Sequence, residues 1–140
     1  QGHLVTCVDV SDDALKRAQV TYGQVPNLTW QQADAFHLPK NFLNRFDFVV
    51  EHTFFCAIDP SLRSDLVRVW SQCLAPDGFL LGVFMVVWKP TGPPFGASEW
   101  EIRKRLQTRF QPYYWLRAKD SVPRRLGIEL VVYAKKIGRL

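Results

Sequence analysis

The 140-residue sequence predicts an α/β fold: a mostly parallel sheet that ends in one antiparallel strand. Three observations predict it. Strand-like and helix-like segments alternate from residue 4 to about residue 109, which calls for parallel strands joined by crossover helices on both faces. Short apolar runs give way to capping residues where helices should begin. The last two strand-like runs, 113–118 and 128–134, have no helix between them and read as a hairpin that brings an antiparallel strand into the sheet.

Residues 4–10 are apolar and β-branched almost throughout, as in a strand covered on both faces. Ser11, Asp12 and Asp13 supply capping oxygens and negative charge for a helix over 14–19, which Gly23 and Pro26 end. Residues 28–32 form the next strand, closing at Ala33 and Asp34, and 46–51 form another. Asp59 and Pro60 suit a helix start. That helix places Leu62, Leu66, Val69, Trp70 and Cys73 along one side and stops near 75–78. The most hydrophobic strand covers 79–87, and Ser98 with Glu101 makes a capping box for a helix to about Arg109. The final hairpin loop holds Asp120, Ser121, Pro123 and Gly127.

Composition narrows the function classes. With 47% hydrophobic residues and 22% charged, the chain has material for a core and does not read as disordered. The net charge of +5 is spread along the sequence, so no nucleic-acid partner is expected; Arg103, Lys104 and Arg105 read as the outer face of a helix. Cys7, Cys56 and Cys73 lack metal-ligand spacing and fit buried free thiols in a reducing compartment, so no metal is expected. The longest apolar run, 78–88, is too short for a membrane span. A doubly wound sheet would leave a strand that opens the chain poorly covered. Residues 1–140 are therefore expected to be a partial domain whose first strand-helix unit lies upstream of residue 1, or one part of a split domain.

In such folds ligands bind at the carboxyl ends of the strands. Asp9 leaves the first strand there, where it can accept from ribose hydroxyls or simply join a helix start. Asp34 can accept from an adenine amine flanked by Ala35 and Phe36, or serve as a turn residue. Residues 51–60 join the 46–51 strand to a helix. Within them Glu51 either faces the cofactor's amino acid portion or organises the loop, and Phe54 and Phe55 wall off solvent or fill core. Cys56 reads as a packed thiol before a nucleophile, and His52 as a general base is the lesser reading. Arg63 can turn its fork back over the pocket, but periodicity alone makes it a solvent-facing charge. The loop containing Trp88, Gly92, Pro93, Pro94, Phe95 and Gly96 has the composition of a pocket rim, with Trp88 and Phe95 serving equally well as packing anchors.

A resemblance rests on several of these segments taken together: residues 8–11, 33–36 and 46–50, the run 53–60 with Arg63, 74–78, 92–95 and 121–129. The most specific part is Phe54, Phe55, Cys56, Ala57 and Ile58 followed by Pro60 and Arg63, joined to Gly92, Pro93, Pro94 and Phe95 at this distance. The chain resembles the thiopurine S-methyltransferase superfamily of class I S-adenosylmethionine-dependent methyltransferases, more its thiol and halide branch than its thiopurine-methylating one. The resemblance implies a Rossmann-like fold lacking its glycine-rich amino-terminal strand-helix unit. It also implies an S-adenosylmethionine site with Asp9 and Val10 at the ribose, Asp34, Ala35 and Phe36 at the adenine, and Glu51, His52 and Thr53 beside the reactive sulfonium. Arg63 and Arg125 match basic positions around the acceptor pocket and are the expected catalytic residues, with Phe54, Phe55, Trp88, Pro94 and Phe95 enclosing the acceptor.

The expected activity is methyl transfer to a thiol, hydrosulfide, thiocyanate or halide. The alternatives are a larger thiol, oxygen or nitrogen acceptor, or an inactive binding or scaffold protein. The expected setting is cytoplasmic, with a small-molecule acceptor and no membrane. The protein is expected to be a monomer unless a separate amino-terminal segment completes it, and without completion these residues should bind cofactor poorly.

Overall fold

The computed structural model describes residues 2–23 and 25–138. The chain divides into two compact units, Gln1–Lys40 and Asn41–Leu140, and each is described by itself.

The first unit is a strand-helix-strand. β1 (Val5–Asp9) pairs in parallel with β2 (Leu28–Gln32), and α1 (Asp12–Tyr22) connects them. Ser11 Oγ accepts the Ala14 N–H at 3.2 Å, and Asp12 and Asp13 place negative charge on the exposed amide end of α1. Gly23, at φ 67°, closes the helix by donating its N–H to the Gln19 carbonyl. Asn27 also takes a positive φ, which its short polar side chain tolerates, and its carbonyl accepts the Val5 N–H that starts β1. Leu4, Val5 and Val10 are exposed, so β1 is not the fully covered strand that its composition predicts.

The second unit contains β3 (Phe46–His52), α2 (Arg63–Cys73), β4 (Leu74–Met85), α3 (Glu99–Leu106), β5 (Phe110–Arg117) and β6 (Glu129–Lys136). The sheet order is β3-β4-β6-β5. β3 and β4 are parallel, whereas β6 inserts between β4 and β5 and runs antiparallel to both, so it is the predicted antiparallel strand. The buried face carries Leu80 and Phe84 of β4 and Leu130, Val132 and Ala134 of β6. Against it lie Leu66 and Trp70 of α2 and Ile102 and Leu106 of α3. Phe55, Trp70 and Phe84 form an aromatic cluster with ring centroids 5.2 to 6.3 Å apart. Burying each such ring stabilises the unit by about 2–3 kcal/mol.

Several boundaries depart from the sequence expectations. Asp59 caps a 3₁₀ turn (Pro60–Leu62), and α2 proper begins at Arg63. Leu74 already pairs with Phe46, and the 75–78 turn is accommodated as a register irregularity before Phe79 pairs with Phe48. β4 therefore starts earlier than residue 79. β5 starts at Phe110 despite Pro112, because β5 is an edge strand and an edge can spare one N–H. α3 stops at Leu106, where Arg109 turns its N–H back to the Leu106 carbonyl. Only half of the predicted capping box forms: Ser98 Oγ accepts the Glu101 N–H at 3.1 Å, but the Glu101 carboxylate is taken by Arg63 and Arg105.

Candidate functional site

In the first unit the carboxyl ends of β1 and β2 are paired, Asp9 opposite Gln32, and the Ala33 N–H donates to the Asp9 carbonyl at 3.1 Å. This register brings Asp9 and Asp34 to one edge of the small sheet. Asp9 Oδ1 accepts the Ser11 N–H at 2.8 Å, and its Oδ2 takes no partner among the described residues. Asp34 Oδ1 accepts the Phe36 N–H at 2.9 Å, and its Oδ2 lies 2.6 Å from His37 Nδ1. The hydrogen bond from His37, then the one from Phe36, hold the Asp34 carboxyl below the usual carboxylate range. Ala35 and Phe36 are half-buried beside it, and Val10 is exposed.

In the second unit a cavity of about 300 Å³ opens beyond the carboxyl ends of β3 and β4. Its lining comprises Glu51, His52, Thr53, Cys56, Ala57, Val83, Met85, Pro93, Pro94, Arg125 and Glu129. A larger depression of about 410 Å³ on β5 and β6, around Tyr114, Arg117, Lys119 and Asp120, contains no buried titratable side chain. Strand ends with buried polar groups are where this class of fold binds ligands, so the smaller cavity is the candidate site.

Its floor is a turn tied together by one carboxylate. Glu51 is 3% exposed, and its Oε1 accepts the Phe55 N–H at 2.9 Å. Burial pushes the Glu51 carboxyl up to about 7, against the opposing pull of the N–H groups of Phe55 and Phe54. Thr53 stands at φ 67°, a left-handed conformation that is strained for a β-branched residue. Its carbonyl accepts from Cys56 Sγ at 3.2 Å, and the Ala57 N–H closes the turn on the Phe54 carbonyl. The Cys56 thiol is pushed up by burial and then by the Glu51 charge, so it is a packed thiol and not an activated nucleophile.

The second wall comes from the 86–98 loop. The Phe95 N–H donates to the Cys56 carbonyl at 2.6 Å, and Gly96 returns its N–H to Lys89. A Cβ at Gly96 would stand 2.2 Å from the Val87 carbonyl oxygen, so only glycine fits there. Arg63 fastens both walls. Its Nε donates to the Phe55 carbonyl at 3.2 Å, Nη2 to the Phe95 carbonyl at 3.2 Å, and Nη1 to the Gly96 carbonyl at 3.1 Å and to Glu101 at 3.0 Å. Arg63 is fully buried over the Phe55 ring. It is neither the solvent-facing charge that periodicity predicts nor part of the cavity lining, because loop carbonyls and Glu101 occupy its fork.

The remaining expected site residues separate clearly. His52, Thr53, Glu51, Pro94 and Arg125 line the cavity. Phe55 is core, packed on Trp70 and Phe84. Phe54 and Phe95 lie outside the lining, and Trp88 is 92% exposed. Glu129 belongs to the lining and was not singled out from sequence. Its only signal there is a carboxylate at the start of the apolar 130–134 run. Arg125 Nη1 lies 3.2 Å from His52 Nε2 and 3.4 Å from Glu129 Oε1. Among the described residues no group of three or more His, Cys, Asp or Glu is placed to hold a metal, and no helix is long and apolar enough to cross a membrane.

The chain is 33% identical over 98 residues to thiocyanate methyltransferase 1 of Brassica oleracea, covering 67% of this chain and 42% of that protein. It is 31% identical over 93 residues to thiocyanate methyltransferase 1 of Arabidopsis thaliana, covering 64% and 40%. The chain thus spans less than half the length of these relatives. Among solved structures, a SAM-dependent methyltransferase from Methanosarcina mazei superposes with a TM-score of 0.79 at 20% identity, over 96% of this chain and 82% of that one. The 1,6-didemethyltoxoflavin-N1-methyltransferase of Burkholderia thailandensis, solved with 1,6-didemethyltoxoflavin and S-adenosylhomocysteine bound, gives 0.74 at 20% identity over 97% and 62%. These likenesses show the α/β Rossmann-like class I methyltransferase fold with a mixed parallel and antiparallel sheet. The family model described as thiopurine S-methyltransferase (TPMT) matches residues 1–127, and the chain belongs to that family.

Proposed function

We propose that residues 1–140 are part of a single S-adenosylmethionine-dependent methyltransferase domain that methylates a small soft nucleophile: a thiol, hydrosulfide, thiocyanate or halide. The observation that carries this reading is the cavity at the ends of β3 and β4. Its volume of about 300 Å³ is at the small end for ligand sites, and Ala57, Val83, Met85, Pro93 and Pro94 give it apolar walls beside one guanidinium, that of Arg125. An apolar wall with a single cation suits a weakly hydrated anion. The names of the two thiocyanate methyltransferase relatives support the same acceptor class.

The first unit's edge fits the cofactor. Asp9 offers Oδ2 to a ribose hydroxyl, and Asp34, with lone pairs remaining beyond its bonds to Phe36 and His37, can accept from an exocyclic amine beside half-buried Ala35 and Phe36. Val10 is the exposed residue next to Asp9. S-adenosylmethionine supplies the methyl group already bonded to a cationic sulfur, so the chain needs no strong base and no electrophile of its own. The tasks left to its side chains are orientation, exclusion of water and selection of charge.

Glu51 and Thr53 build the turn that shapes the cavity floor, and His52 stands beside Arg125. Arg125 attracts an anionic acceptor, and for a thiol it favours the thiolate. Arg63 positions the two walls. We place Phe54, Phe95 and Trp88 outside direct contact with the acceptor, since none lines the cavity.

The test is labelled-methyl transfer by the full-length protein to thiocyanate, iodide, hydrosulfide and a small thiol, run beside oxygen and nitrogen acceptors. S- or halide-methylated products are expected. Transfer only to oxygen or nitrogen, or none despite cofactor binding, contradicts the reading.

A further inference from the structure

We propose that Glu129 is a positioning residue that holds the Arg125 guanidinium at the cavity and thereby sets its affinity for an anionic acceptor; the second half of this rests on the function proposed above. Glu129 is the first residue of β6 and pairs with Met85 at the end of β4. Its side chain is only 13% exposed and gathers Ser121 and Arg125 of the segment just before it with His52 at the end of β3. The Ser121 hydroxyl donates to its Oε2, Arg125 Nη1 lies 3.4 Å from its Oε1, and His52 Nε2 lies 4.0 Å from the same oxygen.

The need for such a carboxylate follows from how the 121–128 segment is held. Val122 and Leu126 are 53% and 57% exposed, so apolar burial does not anchor it. Its backbone bonds, Arg125 to Val122, Leu126 to Pro123 and Ile128 to Arg125, curl the turn upon itself without choosing where the Arg125 side chain points. A long arginine side chain has much rotamer freedom to lose, and a half-buried ionised partner is the kind of group that restricts it. The position of Nη1 between Glu129 and His52 does so here. Among the described residues Arg125 Nε and Nη2 donate to no protein acceptor, which leaves the one N–H of Nε and the two of Nη2 for a ligand. The Ser121 bond fixes the carboxylate in turn, so that Ser121, Glu129 and Arg125 form one chain of hydrogen bonds ending at the cavity.

Two variants of the full-length protein test this. Glu129→Ala removes the anchor, and Glu129→Gln keeps an acceptor for Ser121 while removing the charge, which guards against simple misfolding. The Michaelis constant for thiocyanate is expected to rise about tenfold in Glu129→Ala and less in Glu129→Gln, the range for loss of one charge-assisted hydrogen bond. Inhibition by the neutral compound methyl thiocyanate is expected to change less than about threefold, since the guanidinium's charge matters little to it. Equal loss for both compounds, or no change in either, overturns the proposal. The ¹⁵N order parameter of Arg125 Nε supplies a readout independent of turnover: rigid in the native protein and averaged in Glu129→Ala. An equally rigid Nε in the variant overturns the positioning role. If the native protein methylates none of the soft acceptors, the proposed function fails, and the order parameter still decides whether Glu129 positions Arg125.

Discussion

The guanidinium of Arg63 donates to the carboxylate of Glu101 at 3.0 Å, across 38 residues of sequence. With its bonds to the carbonyls of Phe55, Phe95 and Gly96, this contact joins the turn after β3, the 86–98 loop and α3. Every element holding the cavity's two walls converges on one buried cation. Arg63→Met should remove all four bonds, leave three carbonyls short of a donor and destabilise the protein by about 3–5 kcal/mol, as when one partner of a buried pair is lost. Chemical denaturation of variant and native protein checks it, and a loss under about 1 kcal/mol would place Arg63 outside the framework.

Gly96→Ala probes the same joint from the backbone. The added methyl meets the Val87 carbonyl oxygen at 2.2 Å and Lys89 N at 2.6 Å, neither of which is the end of a flexible side chain. A cost of about 1–3 kcal/mol is expected, the range for overpacking, with the midpoint of thermal unfolding as the readout. An unchanged midpoint would show that the loop gives way freely.

Glu51 makes stability depend on pH. Its folded-state value of about 7 stands above the ordinary 4.5, so the folded protein holds this proton more tightly than the unfolded chain does. The contribution is fully present below about 4.5 and is lost as pH rises through about 7. Glu51→Gln keeps an acceptor for the Phe55 N–H but cannot ionise. Relative to the native protein, the variant should gain stability by up to about 3 kcal/mol between those pH values and then level off. Unfolding free energies of both proteins across that window check it; a difference that does not change with pH contradicts a buried, ionising Glu51.

A substitution at Asp9 separates cofactor binding from support of the turn before α1. Asp9→Asn retains an acceptor for the Ser11 N–H, so stability should barely move. S-adenosylhomocysteine affinity of the full-length protein should fall about tenfold through loss of the ionised acceptor. Calorimetric titration decides it, and unchanged affinity would assign Asp9 to the turn before α1 alone.

Local chemistry was legible in the sequence where it depends on near neighbours. The Ser11 and Ser98 caps, the Gly23 stop and the alternation of strands and helices all follow from residues within a few positions of one another. The antiparallel last strand was legible too, from two strand-like runs without a helix between them. Its insertion between β4 and β5 was not, because it rests on the pairing of β6 with β4, from Met85 opposite Glu129 to Phe79 opposite Lys135, which no local pattern reveals. Arg63 shows the same limit. Helical periodicity weighs its neighbours in α2, whereas its burial is decided by carbonyls at residues 95 and 96 that no local pattern reveals. Trp88 is the opposite case: its aromatic character suggests enclosure of a pocket or tertiary packing, and its side chain is 92% exposed. Glu129 was overlooked because a single carboxylate beside an apolar run says nothing of the arginine four residues earlier until the 3₁₀ turn Pro123–Arg125 folds that residue back.

On the function proposed above, the cavity at the ends of β3 and β4 receives the acceptor and Arg125 is its cation. The most direct measurement compares Arg125→Met with the native full-length protein, recording the Michaelis constant for thiocyanate and the dissociation constant for S-adenosylhomocysteine. The expected result is a rise of about tenfold or more in the first, with the second changed by less than about twofold. A weakened hold on S-adenosylhomocysteine with the thiocyanate constant unmoved would put Arg125 at the cofactor and contradict this assignment of the cavity.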